Sequence, residues 1–552
     1  MFWFHALYLF FSLRLVCLGQ TLSQMNRRDF VKAAGISAMA AASPGLWAAR
    51  QASAAEEYHR LDRAQLQKLA DQAMSTARKL GASYADIRIC RYNSEDLSTR
   101  EERVESISNT KDFGFGVRVL VNGTWGFASS SQVTESQVDK ITRHALEIAR
   151  ANHPLQKRKV EIESIPAYQE DWVMPMRRDP FTVSVEEKAQ KLLAINAAAM
   201  KAGAAFCSSG MSQVKEEKFF ASTRGSVISQ SRVRILPWFS ATAVDKASGK
   251  FEERASFAAP RGSGYEYIEE YDFLSEAAKA AEEAKQKLKA KSVEPGKKDL
   301  VLHPTNLWLV IHESVGHPTE LDRALGYEAN FAGTSFVTTE KLGKLRYGSE
   351  YVTIMGDRTQ AGGLSTIGYD DDGVNTKGAE FPIINKGRFE NYQMSIGFAK
   401  SIKRPRSNGC AFADSWDKFP LQRMPNISLQ PGNRKVSIDN LISDVKDGIY
   451  IMGNGSWSID QQRYNFQLGG QVFYEIKNGK LGQMLRDVAY QGNTVDFWNA
   501  CDGVCGKEEY FLGGTFNCGK GQPEQGAPVS HGAVPARFRN INVINTGRSD
   551  IS

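Results

Sequence analysis

Residues 309–322, LVIHESVGHPTELD, place His312, Glu313 and His317 on one apolar segment, and the five-residue spacing of the two histidines constrains how that segment can fold. A metalloprotease helix spaces its histidines four apart, which stacks both imidazoles over one face with the glutamate beside them. On an ideal helix of about 3.6 residues per turn, positions 312 and 317 point about 140° apart. For the rings to meet, the helix must widen. Gly316 tolerates almost any backbone conformation, and Pro318 biases His317 away from helical dihedrals. The sequence therefore predicts a frayed or bulged helix end, with one extra residue taken up in a wide turn. The spacing alone leaves two readings open: a metal-binding pair, or two hydrogen-bonded histidines at a buried helix end.

At 552 residues and 42% hydrophobic content the chain can bury a large core. It reads as an α+β protein of two domains. The first runs from residue 55 to about 295: a helix over LDRAQLQKLADQAMSTARKL ending at Gly81, strands in YADIRICRYN, VESISNTKDFGFGVRVLVNG and TWGFASS, helices over about 134–151 and from Ser184, and strand-like sequence over 208–244. A Glu/Ala/Lys-rich helix then leads to VEPGKKD, the predicted boundary. The second domain, 296–552, is β-rich and carries the helix with the histidines; Pro304 suits that helix's first turn.

Residues 1–54 read as a leader. MNRRDFVKAAGISAMAAASPGLWAARQASA, from Met25, has a doubly basic start at Arg27 and Arg28, an Ala/Gly-rich apolar stretch and a small-residue ending, the pattern of a twin-arginine export signal to the periplasm. Residues 1–24 read as an over-extended start, with an anchor as the alternative; the mature chain has no stable membrane span. Removing residues 1–54, with five basic and one acidic side chain, leaves 64 basic against 61 acidic ones, a near-balance that argues against a nucleic-acid surface.

Cys501, Cys505 and Cys518 lie in NACDGVCGKEEYFLGGTFNCGKGQP, where a glycine-rich backbone lets a thiolate approach a ligand closely. In an exported protein, Cys501 and Cys505 are also a possible disulfide pair. Asp370, Asp371 and Asp372 in YDDDG read as a solvated turn, because Asp and Gly are ordinary turn formers.

The His-Glu-x-x-x-His stretch followed by Glu320 and Asp322, then YDDDG, GNGSWSID and the terminal CGKGQ, resembles in that order the TldD/PmbA family of zinc metallopeptidases. SYADIRI and FGFGVRVLVNGTWGFAS extend the likeness to the N-terminal part. The resemblance implies that His312 and His317 are imidazole ligands of zinc, that Glu313 is the catalytic carboxylate, and that a cysteine in a CGK setting is the third ligand. Two cysteines have that setting, and Cys518, followed by GKGQPEQGAP, matches better than Cys505, followed by GKEEY. His531 is the fallback ligand. Two imidazoles and one thiolate leave a fourth tetrahedral position for water, whose proton Glu313 can take. The activity implied is hydrolysis of peptides or unfolded segments by a dimer, either a homodimer or a pair with a metal-free PmbA-like paralogue. The alternatives are a chaperone-like peptide binder with a structural metal, and a zinc hydrolase of non-peptide amides.

If the twin-arginine reading holds, Arg27→Lys combined with Arg28→Lys leaves unprocessed precursor in the cytoplasm, as fractionation and immunoblotting can show. Unchanged export of the double variant excludes that route.

Overall fold

The computed structural model describes residues 61–547, so the leader reading lies outside the described residues. Helix α1 (Arg63–Lys79) begins at Asp62, whose carboxylate accepts the Gln65 backbone N–H while the Gln65 side chain accepts the Asp62 backbone N–H. The strands β1 (Tyr84–Arg100), β2 (Arg103–Val121) and β3 (Thr124–Ser130) follow as an antiparallel meander. Next come α2 (Glu135–Asn152), β4 (Gln169–Val173) and α3 (Val185–Lys201), the last capped by Ser184 as the sequence predicts. The stretch 208–244 resolves into two long strands, β5 (Phe206–Ser222) and β6 (Val227–Val244), after which come β7 (Phe251–Ala255) and α4 (Phe273–Lys289). The seven strands form one sheet in the order β3-β2-β1-β5-β6-β4, with β7 on β6.

Period-two alternation gives this sheet two unlike faces. On one face, Ile87 and Ile89 of β1 with Phe115 and Val117 of β2 pack against Leu69, Ala73, Val138 and Leu146 of α1 and α2. Further along, Leu97, Met211, Ile235 and Phe239 pack against Leu192, Ile195, Ala277 and Ala281 of α3 and α4. The other face carries Asp86, Arg88, Arg118, Glu216, Lys218, Arg232 and Arg234, and all seven are buried, because the C-terminal half of the chain lies over them.

The aspartate turn is the part of that half that meets the charges. Asp370, Asp371 and Asp372 are 1%, 4% and 2% exposed, which corrects the solvated-turn expectation. Asp371 pairs with Lys218 at 2.9 Å, lies 3.7 Å from Arg88, and accepts the Ala413 N–H at 2.7 Å. Asp372 pairs with Arg118 at 2.8 Å, and Arg118 also holds Asp86 at 2.7 Å. The segment after Ala413, whose N–H Asp371 accepts, crosses β2 where that strand has no side chain: a Cβ at Gly116 would stand 2.5 Å from the Trp416 carbonyl oxygen. A turn built from Asp and Gly looks exposed in sequence; here Asp371 and Asp372 are paired with strand cations more than 150 positions away, while Asp370 accepts the backbone N–H groups of Asp372, Val374 and Ala411.

Gly296–Leu302 is the inner strand of a ten-stranded sheet, parallel to Asp447–Met452 on one side and antiparallel to Ala536–Asn545 on the other. It runs straight into α5 (Pro304–Ile311), where His303 Nδ1 accepts the Thr305 N–H and Pro304 fills the first turn. Leu307, Val310 and Ile311 of α5 are fully buried in the largest apolar cluster of the chain, which pins the helix from all sides. The protein is α+β. No helix among the described residues is long and apolar enough to cross a membrane.

Removing Asp371 takes the carboxylate from buried Arg88 and leaves buried Lys218 only Glu216, which Arg232 and Arg234 share. Asp371→Ala should therefore cost about 3–5 kcal/mol, as breaking a buried ion pair does. Asp417→Ala, at a 43% exposed carboxylate, is the control and should cost about 0.5 kcal/mol or less. Denaturant unfolding of both variants measures the difference; a loss below about 1 kcal/mol for Asp371→Ala contradicts the ionic account.

Candidate metal centre

The segment after α5 is a π-helical turn, His312–Gly316, in which the His317 N–H bonds to the His312 carbonyl. Closing the ring five residues back gives the wide turn that the spacing requires. His312 and His317 then sit one above the other, with ring centroids 4.7 Å apart and the planes 81° from parallel. One part of the expectation is corrected: His317 keeps helical dihedrals, φ −61° and ψ −46°, despite the following Pro318. Pro318 enters the short 3₁₀ turn His317–Thr319 near its start, where its missing N–H costs nothing. Gly316 is also helical, φ −56°. Its lack of a side chain matters for space, since a Cβ there would stand 2.7 Å from the Met424 sulfur.

A π-turn leaves carbonyls without their usual helical partners, and side chains meet them here. The Tyr347 hydroxyl donates to the Ser314 carbonyl, Thr319 Oγ1 to Val315 at 2.7 Å, and Gln393 Nε2 to Gly316 at 2.6 Å. Trp498 Nε1 donates to Ser314 Oγ at 2.9 Å.

The hairpin Phe511–Lys520 with Gln525–Ala533 lies over this turn and delivers Cys518. Cys518 Sγ is 3.6 Å from His317 Nε2. One ligand atom each from His312, His317 and Cys518 fall within 4.8 Å of one another, all three residues being buried. Cys505 is not in this group; it is a buried free thiol whose N–H bonds to the Pro535 carbonyl. Cys501 is likewise free, so the two do not form the disulfide that sequence allowed. His531 comes in on the second hairpin strand and meets His312, Nε2 to Nδ1 at 2.7 Å, so it backs one of the three without joining them.

Electrostatics suits metal binding. Burial holds His312 and His317 below the ordinary imidazole value. Burial also weighs against a Cys518 thiolate, but His317 and the Arg423 guanidinium outweigh it and pull that thiol below its usual range. His317 Nδ1 faces Glu320 Oε2 at 2.9 Å. Glu320 is held by Lys520 at 3.1 Å, and the same ammonium reaches Asp322 at 2.8 Å and Glu328 at 2.9 Å. Glu313, 4% exposed, forms an ion pair with Arg463.

Arg463 and the Lys520 hub are the residues that sequence reasoning missed. Lys520 was visible inside CGKGQ, without a role. Arg463 has left-handed backbone, φ 64°, in the turn before Asn465–Gly469, and nothing in IDQQRYN marks it.

Residues 295–545 match the PmbA/TldA metallopeptidase C-terminal domain, 85–149 match domain 1 of the same family and 178–291 its central domain. A metalloprotease of Methanocaldococcus jannaschii is 30% identical over 449 residues, which are 81% of this chain and 94% of that protein. The chain belongs to the TldD/PmbA metallopeptidase family. A second TldD/PmbA relative, a zinc metalloprotease TldD homolog of Saccharolobus solfataricus, is 25% identical over 480 residues, 85% of this chain and 98% of it. Crystalline TldE from Thermococcus kodakarensis superposes with a TM-score of 0.66 at 15% identity, covering 86% of this chain and 99% of that one, a likeness of TldD/PmbA fold. Within the part read as one domain over 55–295, the TldD/PmbA matches cover two segments, 85–149 and 178–291, whose strands share one sheet.

Proposed function

We propose that this member of the family is a zinc-dependent peptidase that hydrolyses peptides or unfolded segments, with Glu313 as general base. One observation carries the reading: two imidazoles and a thiol converge within 4.8 Å, with a carboxylate on the residue after the first of them. The donor set fits the ion. Soft thiolate with imidazole suits zinc, and three protein ligands leave a fourth tetrahedral position open, the pattern of catalytic sites. Zinc, when bound, supplies the Lewis acidity that brings water to a pKa of about 7.

The chain's own residues do the rest. His312, His317 and Cys518 hold the ion, and Glu313 takes the proton from the attacking water. Arg463 keeps the Glu313 carboxylate in place. Burial of all four side chains excludes bulk water and strengthens each charge interaction. The strand Phe511–Lys520 has Gln525–Ala533 as its one strand partner among the described residues. A substrate in extended form, added to such an edge, gains main-chain hydrogen bonds with little sequence demand, which suits unfolded chains over folded domains. The twin-arginine pattern supports a periplasmic site of action, and the same proposal has the protein act as a dimer, either with itself or with a metal-free paralogue.

Metal analysis and peptide-library digestion test this together, on the protein alone and with a metal-free paralogue. Cys518→Ser should lose most bound zinc while Cys505→Ser keeps it, because a hydroxyl is a poor substitute for a soft thiolate. Glu313→Gln should keep zinc and cleave at least about a hundredfold more slowly, the usual worth of a general base. Full zinc occupancy in Cys518→Ser, or near wild-type cleavage by Glu313→Gln, refutes the corresponding role. A zinc-loaded wild type that cleaves nothing in a broad library favours a peptide-binding subunit instead.

A further inference from the structure

His312 and His531 are joined ring nitrogen to ring nitrogen, and what lies behind them decides which nitrogen holds the proton. The Ile427 carbonyl oxygen, 3.1 Å from His531 Nδ1, can only accept. His531 Nδ1 therefore carries a hydrogen. The ring has no exposed surface, so the neutral form is the one that burial favours, and a neutral imidazole has a single N–H. His531 Nε2 is then a bare lone pair, and at 2.7 Å it takes its hydrogen bond from His312 Nδ1–H. By the same count His312, also buried, is left with a bare Nε2.

We infer that His531 is a positioning residue: it fixes the Nδ1–H form of His312, so that the Nε2 lone pair is the one presented to the ion. The inference rests on the zinc reading above and adds a residue to it. The ring is itself held. Trp308 lies parallel to it with centroids 6.4 Å apart, on the helix that carries His312. Trp308 fits there because the residue opposite His531 in the hairpin is Gly513, where a Cβ would stand 2.5 Å from the indole. His531, Trp308 and His312 thus form one packed unit whose hydrogen bonds run in a single direction, from His312 through His531 to the backbone of Ile427.

The two imidazoles of the trio are backed differently. His317 has the Glu320 carboxylate behind it at 2.9 Å, and Lys520 balances that charge. His312 has a neutral imidazole behind it. A neutral acceptor fixes orientation and proton position without adding a further anion to a site that already holds Glu313 and the Cys518 thiol. This is the work that outer-shell partners of metal-binding histidines do, and losing one typically costs ten- to a hundredfold in metal affinity.

Zinc affinity, read by competition against a chromophoric chelator, tests the role without any substrate. His531→Phe keeps a ring beside Trp308 and removes the acceptor; it should weaken zinc binding about ten- to a hundredfold. His531→Gln places an amide oxygen near the former Nε2 position and should stay within about threefold of wild type. Wild-type affinity in His531→Phe overturns the inference. A second readout needs no variant: imidazole ¹⁵N shifts of the metal-free wild type should show His312 with hydrogen on Nδ1, and hydrogen on Nε2 overturns the inference as well. If the wild type itself binds no zinc, the zinc reading fails, and the ¹⁵N shifts alone decide the proton position.

Discussion

The single hydrogen bond from the His317 N–H back to the His312 carbonyl governs the centre of this molecule. An α-helical bond there would send the two imidazoles to different sides of the helix. Bonding one residue further back brings them together, and the turn keeps that shape because its displaced carbonyls find Tyr347, Thr319 and Gln393. Those donors come from three separate stretches of chain, so the turn is a tertiary object as much as a local one. Gly316 then lets Met424 close over it.

Around this turn the protein is arranged as nested layers of compensation. His317 leans on Glu320, Glu320 on Lys520, and Lys520 on Asp322 and Glu328, so that the one ammonium is matched by three carboxylates. Burial works against that ammonium, and the carboxylates outweigh it, raising Lys520 well above the usual lysine range. Further out, the charged face of the N-terminal sheet meets the aspartate turn, and Arg118 bridges Asp86 of its neighbouring strand to Asp372. Such networks are costly to bury and more costly to break, which favours one relative placement of sheet and loop over slid alternatives.

Much of the fold was legible along the chain. Asp62, Thr134 and Ser184 mark helix starts because a short polar side chain can accept the first free N–H groups, and each caps a helix here. The apolar alternation of YADIRICRYN marks a strand, realised within Tyr84–Arg100. The stretch around Cys518 reads in sequence as a glycine-rich setting for a thiolate, and 511–533 is a hairpin in the fold. Helix α5 and the strand Asn426–Leu429 pack against it.

By itself, the sequence determined the family, the α+β class, the need for a widened turn at His312–His317, and the preference for Cys518 over Cys505, because each rests on residue identity and local spacing. Tertiary structure alone decided the partners: Arg463 beside Glu313, His531 behind His312, and Lys218 and Arg118 against the aspartate turn. The physical reason is range. Capping, periodicity and turn chemistry act over a few residues and leave a trace in the local pattern. Paired charges and imidazole hydrogen bonds act over a few ångströms in space, between groups 150 or more positions apart in the chain, and leave none.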